Sequence, residues 1–192
     1  LDTFQKLTKD TDLIDNIRTK YYDYVKKISS SGNIITDKAP LNFRWIGFIK
    51  ILFPNSKIIH CKRDPKDNCL SLYKNIFDEK LDWTYNQSDI STFYSLYFNL
   101  MKFWNSKVDD FIYDVNYEKL VLNPDTEIKK LIKFCDLDWE DNCLKFYENK
   151  RPIKTVSISQ ARKPLFKSSI SSHKNYKSFL KELFMNLDKI HS

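Results

Sequence analysis

The sequence predicts an α/β domain: a parallel sheet flanked by helices. Three observations predict it. Short apolar, β-branched runs recur at Ile34-Ile35-Thr36, at Lys57-Ile58-Ile59-His60-Cys61 and from Phe111 to Tyr117. Helix-length periodic segments separate them, the pattern of strands joined by helical crossovers. The 192 residues, 42% hydrophobic and 15% aromatic, suffice for one core, and neither repeat nor linker divides residues 1–192, so one domain is expected.

The elements follow in order. Leu13, Ile14, Ile17, Tyr21, Tyr24, Val25 and Ile28 recur at three and four, marking an amphipathic helix from Asp12 to Ile28. Ser29-Ser30-Ser31-Gly32-Asn33 breaks it, and Ile34-Ile35-Thr36 reads as a short buried strand running into Asp37-Lys38-Ala39-Pro40. A second helix fits Asn42 to Leu52 and stops before Pro54-Asn55. After the strand at Lys57 to Cys61, Asp64-Pro65 announces a helix to about Phe77. Ser88 to Lys107 reads as helix, Phe111 to Tyr117 as strand, and Asp125 to Cys135 as helix again.

Composition excludes several functions. No apolar run approaches the ~18 residues needed to span a bilayer and no signal peptide is evident, so a soluble domain without membrane contact is expected. With only Gly32 and Gly47, neither common glycine-rich phosphate loop fits. The net charge of +7 comes mostly from lysines scattered beside 25 acids, a solvated pattern that does not favour nucleic acid. A basic nucleic-acid binder stays open as a third reading, needing aromatics interleaved with lysines on one exposed face. Cys61, Cys69, Cys135 and Cys143 form no Cys-x-x-Cys pair and no cluster with His60, His173 or His191, so no metal is expected. Four reduced thiols are expected, Cys61 buried on its strand, with a Cys135–Cys143 bridge as the alternative. That favours the cytoplasm, while the sequon Asn86-Gln87-Ser88 leaves the Golgi lumen open.

In open sheets of this kind ligands bind beyond the C-terminal ends of the strands, where helix N-termini point their amides. Three such ends stand out: Asp37-Lys38-Ala39-Pro40, Arg63-Asp64-Pro65 and Asn116-Tyr117-Glu118. Helix capping explains Asp64, Pro65 and Asp67. It does not explain Arg63. A guanidinium just past a strand end suits a phosphate dianion by bidentate contact, and Ser71, two turns on, leans back toward the same place. The alternative is a structural salt bridge and a solvated serine.

Together these segments resemble the 3′-phosphoadenosine 5′-phosphosulfate (PAPS)-dependent sulfotransferases, especially the tyrosylprotein enzymes and bacterial ones with upstream tetratricopeptide repeats. The resemblance rests on Asp37-Lys38-Ala39-Pro40, Leu52-Phe53-Pro54-Asn55-Ser56-Lys57-Ile58-Ile59 and Arg63-Asp64-Pro65 with Ser71. It continues through Tyr117-Glu118-Lys119-Leu120-Val121, Leu137-Asp138-Trp139 and Ser157-Ile158-Ser159-Gln160-Ala161-Arg162-Lys163-Pro164, covering about Ile34 to Tyr176. It implies a P-loop-NTPase-like sulfotransferase fold and transfer of a sulfonyl group from PAPS to an acceptor hydroxyl, on a peptide tyrosine, a carbohydrate or a small molecule. By that resemblance Arg63 and Ser71 hold the donor's 3′-phosphate and Tyr117 lines the nucleotide site. Lys38 meets the bridging oxygen where charge develops, Ser157 bonds the same region, and Arg162 and Lys163 add cationic field. Each has a plainer alternative: a solvated lysine for Lys38, a core tyrosine for Tyr117, a turn serine for Ser157.

Such a transfer demands positioning and charge stabilisation, without a metal, and a base for the acceptor hydroxyl. In the relatives the base is a glutamate after a Pro-Arg-Ser-Gly-Thr-type loop near their start. Nothing before Ile34 matches that loop, and the chain opens on Leu1. The expectation is therefore a C-terminal part of the fold, lacking its phosphate-loop strand–helix unit and inactive alone. The alternative is a non-catalytic nucleotide-binding or interaction module. A second departure places Ser172-His173 where relatives carry a basic residue and Trp, leaving open whether Lys174 compensates.

Overall fold

In the computed structural model, residues 9–28, 34–77, 81–149 and 162–191 are described. They form helices around a small parallel sheet of two strands, distributed over two compact units. One unit comprises Leu1–Ile58 with Leu100–Phe111, the other Ile59–Asn99 with Ile112–Ser192. The helices run α1 Thr11–Ile28, α2 Ile46–Leu52, α3 Pro65–Lys74, α4 Gln87–Lys107, α5 Tyr117–Leu122, α6 Pro124–Phe134 and α7 Lys181–His191. The strands are β1 Ile58–Lys62 and β2 Ile112–Asn116. Among the described residues no helix is long and apolar enough to cross a membrane.

Local chemistry accounts for the helix starts. Asp10 caps α1, accepting from the Leu13 amide at 2.9 Å. Asp64 caps α3 through the Asp67 amide, with Pro65 at the first helical position. Asn86, the sequon residue, caps α4 through the amides of Ser88 and Asp89. Asn116 caps α5 through Lys119. The sequence shows α1, α3, α4 and α6 within a few residues of their ends, and the predicted second helix divides into a 3-10 turn at Asn42–Trp45 and α2.

In the first unit α1 meets α2 through Arg18, whose Nε donates to the Leu52 carbonyl at 2.7 Å. The rings of Tyr21 and Tyr22 lie 5.0 and 5.6 Å from that of Phe53. Trp104 reaches back with Nε1 to the Phe43 carbonyl at 2.9 Å. In the second unit Cys69, Leu70, Ile90, Tyr94, Leu180, Leu183, Phe184 and Leu187 form one buried cluster, joining α3, α4 and α7. The ring of Phe134 on α6 stacks on Tyr113 of β2 at 4.9 Å.

Two expectations fail. Ile34-Ile35-Thr36 is neither a strand nor buried: Ile34 is 63% exposed and Ile35 46%. β-propensity expresses a fit to a pleated, half-buried surface, and no described strand pairs with this segment. Cys61 is exposed, because on β1 only Ile58 and His60 are even partly covered. All four cysteines are free, Cys69 fully buried.

Gly47 in α2 generates a prediction. A Cβ there would fall 2.7 Å from Cη2 of Trp104, a ring pinned by its hydrogen bond to Phe43. Gly to Ala in a helix ordinarily stabilises by up to ~1 kcal/mol. Here overpacking, typically about 1–3 kcal/mol, is the larger effect. Gly47→Ala is therefore expected to lower the urea midpoint, and an unchanged or raised midpoint would show that the ring yields freely.

Candidate functional site

The second unit gathers two of the predicted residues at the ends of its strands. Arg63 follows β1 directly and Tyr117 follows β2 directly, and the guanidinium carbon of Arg63 lies 5.1 Å from the Tyr117 ring centroid. Both lean on one residue far along the chain. Nη2 of Arg63 donates to the Ser169 carbonyl at 2.8 Å, and the Tyr117 hydroxyl shares a 2.6 Å hydrogen bond with Ser169 Oγ. Glu118 accepts from the Asp64 amide at 2.9 Å, so Tyr117 and Glu118 together fix Arg63 and Asp64. The Nε atom of Arg63 is buried and has no hydrogen-bond partner among the described residues. A desolvated N–H on a cationic group is costly unless an acceptor, best an anion, comes to it.

Behind Arg63 lies a cluster that local sequence reading missed. By sequence Asp67 is an ordinary acidic residue of a first helical turn, yet it is 1% exposed. Oδ2 accepts from the Ser171 amide at 2.6 Å. Oδ1 accepts from the His173 amide at 2.8 Å and the Ser172 hydroxyl at 3.1 Å, and lies 3.0 Å from His173 Nδ1. Burial pushes the Asp67 carboxyl upward, but these hydrogen bonds prevail and hold it below the usual carboxylate range. Asp64, Asp67 and His173 each present one possible metal-ligand atom within 4.8 Å of one another. The signal was in the sequence only as three unrelated residues, since the partners lie about 106 positions apart.

A second polar chain spans the sheet. His60 Nδ1 lies 2.7 Å from Asp114, its Nε2 lies 2.6 Å from the Tyr97 hydroxyl, and Lys62 donates to Asp114 at 3.0 Å. Burial, with Asp114 and Cys61 nearby, pushes the Tyr97 hydroxyl up to about 12. This chain ties β1 to β2 and both to α4.

The other predicted residues are placed as follows. Ser71 sits half-buried on α3, and among the described residues no hydrogen bond joins it to Arg63. Lys38 lies exposed in the first unit. Its neighbour Asp37 accepts from the Tyr21 hydroxyl at 3.1 Å and from Asn42 Nδ2 at 3.4 Å. Arg162 is partly covered and Lys163 exposed, both in a turn. Ser157 lies outside the described residues. Ser172 and His173 face Asp67.

The Asp67 geometry sets a pH dependence. A carboxyl depressed on folding contributes stability that is complete above its unfolded value, ~3.9, and is lost as pH falls through the folded value. Asp67→Asn should therefore be less stable than the parent at pH 7 and show a flatter acid limb below about pH 4. Parallel acid limbs in thermal scans from pH 7 to 2 would contradict this.

Comparison with known proteins places these features. The sequence model described as "Sulfotransferase family" matches residues 3–141. An uncharacterized protein of Aquifex aeolicus (strain VF5) is 34% identical over 174 residues, covering 89% of this chain and 23% of its own length. A protein-tyrosine sulfotransferase of Drosophila melanogaster is 29% identical over 149 residues, covering 68% of this chain and 28% of its own length. The chain thus spans less than a third of either relative.

Proposed function

The chain belongs to the sulfotransferase family, and on that premise we propose that it binds PAPS through Arg63, Ser71 and Tyr117 and serves transfer of the sulfonyl group to an acceptor hydroxyl. The observation that carries the proposal is the buried, unpartnered Nε of Arg63, in a guanidinium held against Tyr117 at the N-terminus of α3. A cation with a spare desolvated donor, beside helix amides, is a receptor for a dianion. The 3′-phosphate fits that demand, and it is the group that separates this donor from ordinary adenine nucleotides.

The donor supplies an activated sulfonyl group, and the chain's residues have to hold and neutralise it. Arg63 orients the 3′-phosphate, with the Ser71 hydroxyl as a further donor from α3. Tyr117 fixes the plane of the guanidinium and lines the nucleotide. Lys38 neutralises the oxygen that the departing sulfonyl group leaves, an effect concentrated in the transition state. Ser157, outside the described residues, is assigned to the same region by the resemblance alone. Among acceptors, the name of the Drosophila relative favours a protein tyrosine.

Two measurements test this. A charge-assisted contact is worth about 1.5–3 kcal/mol. In calorimetric titrations Arg63→Ala should therefore bind 3′-phosphoadenosine 5′-phosphate at least about tenfold more weakly than the parent. Equal affinity of the parent protein for this nucleotide and for 5′-AMP would overturn the reading. For Lys38 the expected signature lies in rate. In a preparation competent for sulfonyl transfer, Lys38→Ala should cut turnover roughly a hundredfold with nucleotide affinity nearly unchanged. Intact turnover in that variant would remove Lys38 from the chemistry.

A further inference from the structure

We propose that Asp67 is the positioning residue of the nucleotide site, fixing the loop at 169–173 and, through Ser169, the side chains of Arg63 and Tyr117. The proposal rests on the reading that Arg63 and Tyr117 receive the nucleotide, and it adds a residue that acts on them without touching the ligand.

The geometry is a chain of four links. The Asp67 carboxylate, buried in the first turn of α3, gathers the amides of Ser171 and His173, the Ser172 hydroxyl and the His173 imidazole. Those contacts hold Ser171 in a left-handed conformation, φ 59° and ψ 21°, which a serine rarely adopts unaided. The turn so formed sets the course of the chain two residues earlier, at Ser169. Ser169 then serves both site residues, its carbonyl accepting from Arg63 and its hydroxyl bonding Tyr117.

Alternative sources of that order are limited. The ring of His173 packs edge-on against Phe184 of α7, 5.8 Å between centroids, which anchors the far end of the loop in the core. Ser169 lies half-buried in a turn that the Ile170 amide closes on the Lys167 carbonyl at 3.0 Å, and among the described residues its own polar contacts are those to Arg63 and Tyr117. The loop therefore takes its position from Asp67 on one side and passes it to the two ligand-facing residues on the other. Because the carboxylate is saturated by donors of the loop, its charge is compensated locally and does not oppose an anion at Arg63.

The consequence is selective. Releasing the loop should disturb the Arg63 contact to the 3′-phosphate most and the Tyr117 contact to the rest of the nucleotide less. The test is calorimetric titration of 3′-phosphoadenosine 5′-phosphate and of 5′-AMP into the parent, Asp67→Asn and Ser172→Ala proteins, each checked for folding by circular dichroism. Asp67→Asn keeps one oxygen acceptor but turns the other carboxylate oxygen into an NH2 group that cannot accept, so the donors on Oδ1 and Oδ2 cannot all be served. It should lose about tenfold or more in affinity for the 3′-phosphorylated nucleotide, with a clearly smaller loss, about threefold at most, for 5′-AMP. Ser172→Ala deletes one of the hydrogen bonds and should show the same selective loss, a few-fold in size. A parent protein that does not prefer the 3′-phosphorylated nucleotide overturns the nucleotide reading itself. A parent that does prefer it, with folded variants that keep the full preference or lose both nucleotides equally, overturns the role of Asp67. If Asp67→Asn does not fold, Ser172→Ala decides alone: retained preference rejects the proposal and a selective loss sustains it.

Discussion

A carboxylate taken out of water has to be repaid with hydrogen bonds, and much of the second unit is arranged around one such debt. Asp67 is 1% exposed, and an isolated charge there would be destabilising enough to force protonation or unfolding of the turn. Its compensation comes almost entirely from Ser171, Ser172 and His173, about 106 residues later. Contacts so distant in sequence can form only when α3, the loop and α7 are together. The same loop residue His173 lies against Phe184, inside the cluster of Cys69, Leu70, Leu183 and Leu187. The polar anchor and the apolar core are thus two sides of one interface, and neither can be satisfied without the other.

What was legible in the sequence follows the range of the interaction. Asp64-Pro65 reads as a helix start because both effects act within one turn, and α3 begins there. Arg63 stood out because capping left it unexplained, and the structure gives it a buried donor without an acceptor. The strand assigned to Ile34-Ile35-Thr36 failed for the opposite reason: β-branching is a local signal, but strand formation needs a partner edge. Helix α7 went unread although its stripe was present, for Leu180, Leu183, Phe184 and Leu187 recur at three and four and are all buried. The Asp67 cluster carried no such signal. A serine with positive φ has no sequence mark of the kind a glycine provides, and Asp67 in a first helical turn looks ordinary.

The departure at Ser172-His173 acquires a physical meaning from these contacts. By the resemblance, that place is usually held by a basic residue followed by Trp. Here the two side chains are committed to Asp67, and Nδ1 of His173 lies at 3.0 Å from its carboxylate. Under the proposed reading, an anion bound at the strand ends depends on Arg63. That residue is suited to carry the larger share. Its plane is set by Tyr117 and Ser169, and it already has a desolvated N–H without an acceptor among the described residues. A single well-fixed guanidinium tolerates little displacement, because bidentate geometry is lost within a fraction of an ångström to an ångström or so. On the proposed reading, the order imposed on its neighbours by a buried carboxylate is therefore a condition of recognition and not only of stability.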